Sequence, residues 1–294
     1  MPHAHLYCIH THRSLDMSIH SAAKEGDIRK VTKILCENEG HKNLKLRDDR
    51  GYLPLHVAVQ NGQQHMAKLL LKKGADEYAQ TAAAFKTPLH IAAGTNNMFF
   101  VHLLDTNKTK LAIKARDVYG YTPLHVAVRA GDRQAVATLF EKGADIEAKD
   151  KYGRTALHHA VQKGAHEIVD FLLNREANVY TRDKKQNSVL HSAGGWRMYV
   201  RLNPHYPDFW HEDNLEENCN GQTPLHLAVE RGDCYTAEDM CERGAIPTQE
   251  DNHGHTPLQL ALKMGHEEMI RCLEHYAELQ SEDPTEYYFD RKRV

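Results

Sequence analysis

The chain has 294 residues, a formal charge of −3 with neutral histidines, and 41% hydrophobic residues, enough for a core spread over one or two domains. The near-balanced charge argues against a nucleic-acid or other polyanion binder. No run of about 18 apolar residues is present to cross a membrane, and the opening MPHAHLYCIHTHRSLDMS lacks the apolar stretch of a secretory signal.

Residues 1–16 read as a histidine-rich tail carrying His3, His5, Cys8, His10 and His12. Alternating imidazoles with a thiol can hold zinc, nickel or copper. Incidental affinity of a tail is the simpler reading, and neither a metal site nor a cofactor is expected. From residue 17 a tetrapeptide recurs: MSIH at 17–20, LPLH at 53–56, TPLH at 87–90 and 122–125, TALH at 155–158, SVLH at 188–191, TPLH at 223–226 and TPLQ at 256–259. Its last residues, His20, His56, His90, His125, His158, His191, His226 and Gln259, are spaced by 33 to 36 residues. A shared structural role therefore accounts for seven of the 22 histidines.

Other residues keep step. Glycine stands five before the motif residue at Gly51, Gly120, Gly153, Gly221 and Gly254, and aspartate eight before at Asp48, Asp117, Asp150, Asp183 and Asp251. Alanine follows two after in all eight copies, and glycine six after at Gly26, Gly62, Gly131, Gly164, Gly232 and Gly265. Thr-Pro supplies an N-cap and a first-turn proline, so each tetrapeptide opens a short helix. The glycine six later ends it in a left-handed residue. A second helix follows with apolar residues at helical spacing, such as Met66, Leu69 and Leu70, or Ile168, Phe171 and Leu172. Asp-x-x-Gly then forms a tight turn tip.

A helix–turn–helix with a β-turn about every 33 residues, carrying TPLHxA, resembles the ankyrin repeat. The resemblance implies an all-α solenoid of about eight stacked units over 17–279, followed by a polar tail at 280–294. It also implies that the motif imidazoles bridge adjacent units.

Two units depart from the pattern. The one at Thr87 has TAAAFK at 81–86 in place of the Asp and Gly, so its tip should differ in shape, and its outer loop reads TNKTKLAIK. The unit over 188–222 departs most. Pro204 and Pro207 should stop its second helix after a short run near Trp196–Leu202, leaving an aromatic loop at 203–211. That loop either fills the gap left by the short helix or is a second binding epitope.

By resemblance, partners meet the tips and the concave face of the first helices. At those positions the middle units carry Tyr119, Tyr121 and Arg129, then Lys151, Tyr152, Arg154 and Lys163, then Lys184, Lys185 and Trp196, with no acid among them. A cationic, aromatic surface suits an acidic peptide with apolar anchors. The bland alternative is a solubilising surface. No GxSxG, HExxH, P-loop or GxGxxG is present, and no nucleophile–base–orienter set can be named around Cys219, Cys234 and His226. The expectation is a non-catalytic, monomeric scaffold or adaptor in the cytoplasm, with the nucleus or a host cytosol as alternatives. The competing readings are a targeting subunit of an enzyme complex and an effector of an intracellular bacterium. Without a CxxC pair, the six cysteines are expected as free thiols in a reducing compartment.

Overall fold

The Thr-Pro-Leu-His segments fold as their local chemistry dictates. The computed structural model describes residues 19–37, 40–95, 97, 111–193, 198, 201–202 and 217–282. Helices start at the motif proline in Pro54–Gln60, Pro88–Gly94, Pro123–Ala130, Pro224–Glu230 and Pro257–Met264, and one residue after Thr155 in Ala156–Lys163. The capping residue is extended in each case, as at Thr87 (φ −80°, ψ 164°) and Thr122 (φ −84°, ψ 166°). Gly131, Gly164 and Gly265 end their helices in the left-handed region. Asp27, Asp132 and Asp233 then cap the second helices, accepting from the amides of Lys30, Ala135 and Thr236.

The described residues divide between Lys151 and Tyr152 into two compact units. In the first, Pro54–Gln60 packs on Gln64–Lys72 and Pro88–Gly94, and Pro123–Ala130 packs on Pro88–Gly94 and Arg133–Glu141. In the second, Ala156–Lys163 packs on His166–Leu173, and Pro224–Glu230 on Cys234–Glu242 and Pro257–Met264. The longer Glu267–Glu282 packs on both Pro257–Met264 and Cys234–Glu242. The alanine two after each motif residue is at most 3% exposed in every copy, which is where neighbouring helices meet. Met66, Leu70, Ile168, Phe171 and Leu172 are buried, while Leu69 is half-buried. Among the described residues no strand forms, and one isolated antiparallel bridge joins Arg182 to Ser188. Each unit is thus an all-α stack of helix pairs joined by turn tips.

The segment after Ser188 is shorter than its counterparts. Instead of a seven- or eight-residue helix, it forms a single 3-10 turn, Leu190–Ser192. It has no motif proline, and Gly194-Gly195 follow at once, which are poor helix residues. Of the expected second helix at 196–202, Met198, Arg201 and Leu202 are helical, with Met198 and Leu202 buried, and Arg201 pairs with Asp170. The tail at 1–16, the loop at 203–211 and the segment at 283–294 lie outside the described residues.

Candidate partner-binding surface

Asp48, Asp117, Asp183 and Asp251 each build a tip by turning the carboxylate onto its own loop. Asp48 Oδ1 accepts from the amides of Arg50 and Tyr52 at 3.0 and 2.8 Å, and Asp117 Oδ1 from those of Tyr119 and Tyr121 at 2.9 Å each. Asp183 and Asp251 do the same, and Asn218 takes the place of aspartate in its tip. A glycine closes the turn except in the tips at 81–86 and 183–187, where Phe85 and Gln186 stand in its place. At Gly120, φ is +74° and a Cβ would fall 2.7 Å from the Lys151 nitrogen, so only glycine fits.

Within each unit, neighbouring tips are tied by one main-chain hydrogen bond each. In the first unit, Ala82 donates to the Gly51 carbonyl, Val118 to Ala84 and Lys151 to Tyr119, at 2.9–3.2 Å. In the second, Lys184 donates to Tyr152, Cys219 to Lys185 and Asn252 to Asn220, at 2.8–2.9 Å. Three arginines reinforce these ties. Arg47 donates to the carbonyls of Gly51 and Gln80, Arg116 to those of Gly120 and Lys149, and Arg182 to those of Gln186 and Glu217. The sequence reading missed these residues, although the Arg-Asp pairs at 47–48, 116–117 and 182–183 mark them.

Beneath the tips run the motif imidazoles. Nδ1 accepts the amide of the capping residue, from Leu53, Thr87, Thr122, Thr155, Ser188 or Thr223, at 3.1–3.3 Å. A ring held this way carries its proton on Nε2, which at five motif positions bonds a carbonyl of the next tip segment. His20 reaches Tyr52, His56 reaches Ala79 and Lys86, His90 reaches Tyr121, His191 reaches Gln222 and His226 reaches His255, at 2.9–3.2 Å. The expected bridging role is what these rings perform. Burial holds His56 and His191 down to a pKa of about 4 and also lowers His90 and His226, because a charged ring would lose solvent and its Nδ1 acceptor. Both ring nitrogens of His226 are engaged, and burial raises the Cys234 thiol above its ordinary range, the opposite of an activated thiolate. Among the described residues, no three His, Cys, Asp or Glu side chains are grouped to hold a metal ion. No helix of those residues is long and apolar enough to cross a membrane.

The candidate contact residues fall on both sides of the Lys151–Tyr152 division. In the first unit, Tyr119 is half exposed, and its ring lies 5.6 Å from that of Tyr121. Tyr121 is only 9% exposed and stacks on His125, with the Arg129 guanidinium 4.9 Å above its ring. Tyr121 is therefore a floor that positions Arg129 rather than an exposed tip residue. Lys151 is exposed beside Tyr119. In the second unit, Arg154 lies 4.9 Å over the ring of Tyr152, which is 48% exposed. Lys184 and Lys185 are exposed on the tip bonded to Tyr152, and Lys163 is exposed at the end of Ala156–Lys163. Trp196 lies outside the described residues. Arg50 over Tyr52, again at 4.9 Å, repeats the arginine–tyrosine pairing in a tip that the sequence reading passed over.

Two further residues have roles that the repeat register does not give. Arg231 donates to the carbonyls of His191 and Ala193, where the 3-10 turn leaves acceptors that a longer helix would have used itself. Phe85 stands exposed on the tip at 81–86, one position outside the register used to pick contact residues. That tip carries one extra residue, since Thr81 lies nine before its histidine instead of eight.

A helical repeat protein with bridging imidazoles and hydrogen-bonded tips is the class these features define. The sequence matches the family of ankyrin repeats (3 copies) over residues 9–81 and 204–283, and that of ankyrin repeats (many copies) over 124–173. The chain belongs to the ankyrin-repeat family, whose members are generally non-catalytic and mediate protein–protein interaction. It is 29% identical to inversin of Mus musculus over 276 residues, covering 90% of this chain and 22% of inversin. It is 32% identical to the B-cell lymphoma 3 protein homolog of Mus musculus over 140 residues, 45% of this chain and 30% of that protein. Over 118 residues it is 36% identical to alpha-latrotoxin-Lh1a of Latrodectus hasselti, 39% of this chain and 8% of the toxin. The chain thus spans less than a third of the length of each of these relatives.

Proposed function

We propose that this chain is a non-catalytic, monomeric scaffold or adaptor that docks a partner protein on its turn tips and the adjoining ends of its first helices. The observation that carries this reading is the tying of the tips within each unit. Main-chain hydrogen bonds and arginine staples fix the backbone, yet tyrosines and cations remain presented on it. A surface ordered before binding loses little entropy on association, so modest contacts suffice. The cluster of Tyr152, Arg154, Lys184 and Lys185 offers aromatic area beside positive charge, which suits an acidic, apolar-anchored segment of the partner. A cytoplasmic setting fits the free thiols of Cys36, Cys219, Cys234, Cys241 and Cys272.

The test is an affinity pull-down read by mass spectrometry with the full chain and with a Tyr152→Ala, Arg154→Ala double variant. The variant is expected to keep its circular dichroism and thermal midpoint while losing its specific partner. Equal recovery of every partner by both proteins would remove these residues from the interface.

A further inference from the structure

We propose that the tip at 81–86, with Val118 and Tyr119 of the adjacent tip, is a docking site for a peptide segment carrying a bulky apolar side chain flanked by carboxylates. Phe85 is its anchor. This inference rests on the protein-interaction reading above and gives it a specific residue and a specific ligand chemistry.

The first support is conformational. Phe85 has φ +53°, the left-handed region that Gly51 and Gly120 occupy in the neighbouring tips at +77° and +74°. A side chain there costs roughly 1–2 kcal/mol relative to glycine. The loop itself does not need the phenyl ring. It is closed by the Thr81 amide on the Lys86 carbonyl at 2.9 Å, and by the Lys86 amide on Thr81 Oγ1 at 3.0 Å. Burial compensates only in part, because Phe85 remains 47% exposed. A strained aromatic held out from the fold at a position suited to glycine points to a use outside folding.

Its neighbours extend the patch. The Val118 amide donates to the Ala84 carbonyl at 3.1 Å, which sets the residues after each, Phe85 and Tyr119, on adjoining tips. Val118 is 39% and Tyr119 50% exposed, and Ala82 and Ala83 offer exposed small side chains that leave room for a ligand. The exposed charge carried by these two tips has one sign. Lys86 follows Phe85, and Lys151 is bonded to the Tyr119 carbonyl. Arg129 sits on the ring of Tyr121. The carboxylate within these two tips, Asp117, is 6% exposed and turned onto its own loop amides. The exposed Asp49 stands one tip back, so the ligand's acids lie on the side of Lys86 and Lys151.

The experiment pans a random-peptide display library against the full chain. Enriched peptides are then titrated by fluorescence polarisation against wild type, Phe85→Gly, Phe85→Asn and Val118→Thr. Glycine and asparagine both accept left-handed backbone, so the fold survives. The expected result is enrichment of peptides with Leu, Ile, Phe or Trp between Asp or Glu, and an affinity loss of about tenfold or more in both Phe85 variants. Val118→Thr should weaken binding less, and the thermal midpoint of Phe85→Gly should rise or hold. Failure to enrich any peptide, enrichment of peptides lacking this pattern, affinity within about twofold in the Phe85 variants, or a lower midpoint in Phe85→Gly would each overturn the proposal. The Tyr152→Ala, Arg154→Ala variant runs alongside. Binding lost there but kept in the Phe85 variants strikes Phe85 alone and leaves the broader reading standing. Equal recovery in the pull-down strikes the Tyr152 and Arg154 surface independently of the peptide result.

Discussion

Thr87 opens a seven-residue helix, Pro88–Gly94, whereas Ser188 opens a single 3-10 turn, Leu190–Ser192. The imidazole chemistry is nevertheless the same in both. His90 Nδ1 accepts from the Thr87 amide at 3.3 Å and Nε2 donates to Tyr121 at 2.9 Å. His191 makes the equivalent bonds to Ser188 and Gln222 at 3.1 and 3.0 Å. The hydroxyls of Thr87 and Ser188 also lie 2.8 and 2.9 Å from Nδ1. The bridge between neighbouring repeats is thus independent of how far the helix runs. What the short turn changes is the carbonyl count, and Arg231 is the compensation.

Acid should act on both regions alike, and it carries the largest expected effect. The folded pKa of His56 and of His191 is about 4, below the ordinary 6.5. The native state therefore resists the proton. Its stability is whole above pH 6.5 and erodes as pH falls towards 4, by about 3 kcal/mol for each ring at pH 4. Urea melts at pH 7.5, 5.5 and 4.5, followed by circular dichroism, measure the loss. An unfolding free energy that stays flat across that range would break the comparison.

Arg231→Met should separate the two regions. Leaving the His191 and Ala193 carbonyls without their charged donor is expected to cost about 2 kcal/mol, read as a lower urea midpoint by circular dichroism. The matching change Arg129→Met removes a guanidinium from the face of Tyr121 and should cost under about 1 kcal/mol. Equal costs would mean that Arg231 has no special role at the shortened turn.

The smallest effect concerns the tips. Gln186 sits at φ +61° where Asp-x-x-Gly would place glycine. Gln186→Gly is expected to raise stability by about 1 kcal/mol, since the left-handed strain it removes outweighs the entropy glycine adds to the unfolded chain. Gly120→Ala should lower it, because the new Cβ meets the Lys151 nitrogen. Differential scanning calorimetry of the two variants would show shifts of opposite sign. A loss in Gln186→Gly would mean that its side chain has a structural use.

The stacked helix pairs, the glycine-closed tips and the structural role of the histidines were all legible in the residues. Their local parts are set within a few positions: the Asp48 carboxylate reaches amides two and four residues on, and the Thr87 cap spans three. The candidate surface was legible only in part. Tyr119 and Tyr152 emerge exposed, but Tyr121, at an equally regular position, lies under Arg129. Phe85 was missed because it stands five before His90, the place of glycine in the neighbouring tips, whereas contacts were sought at the positions on either side.

What the sequence determined by itself was the period and everything local to it, because caps, turns and left-handed glycines depend on neighbours along the chain. Only the tertiary structure decided that Arg231 would serve carbonyls 38 and 40 residues away, that arginines at 47, 116 and 182 would staple one tip to the next, and that a phenylalanine would be left outside. Those outcomes depend on which groups remain unsatisfied or uncovered once the repeats are stacked, and no periodic pattern encodes that.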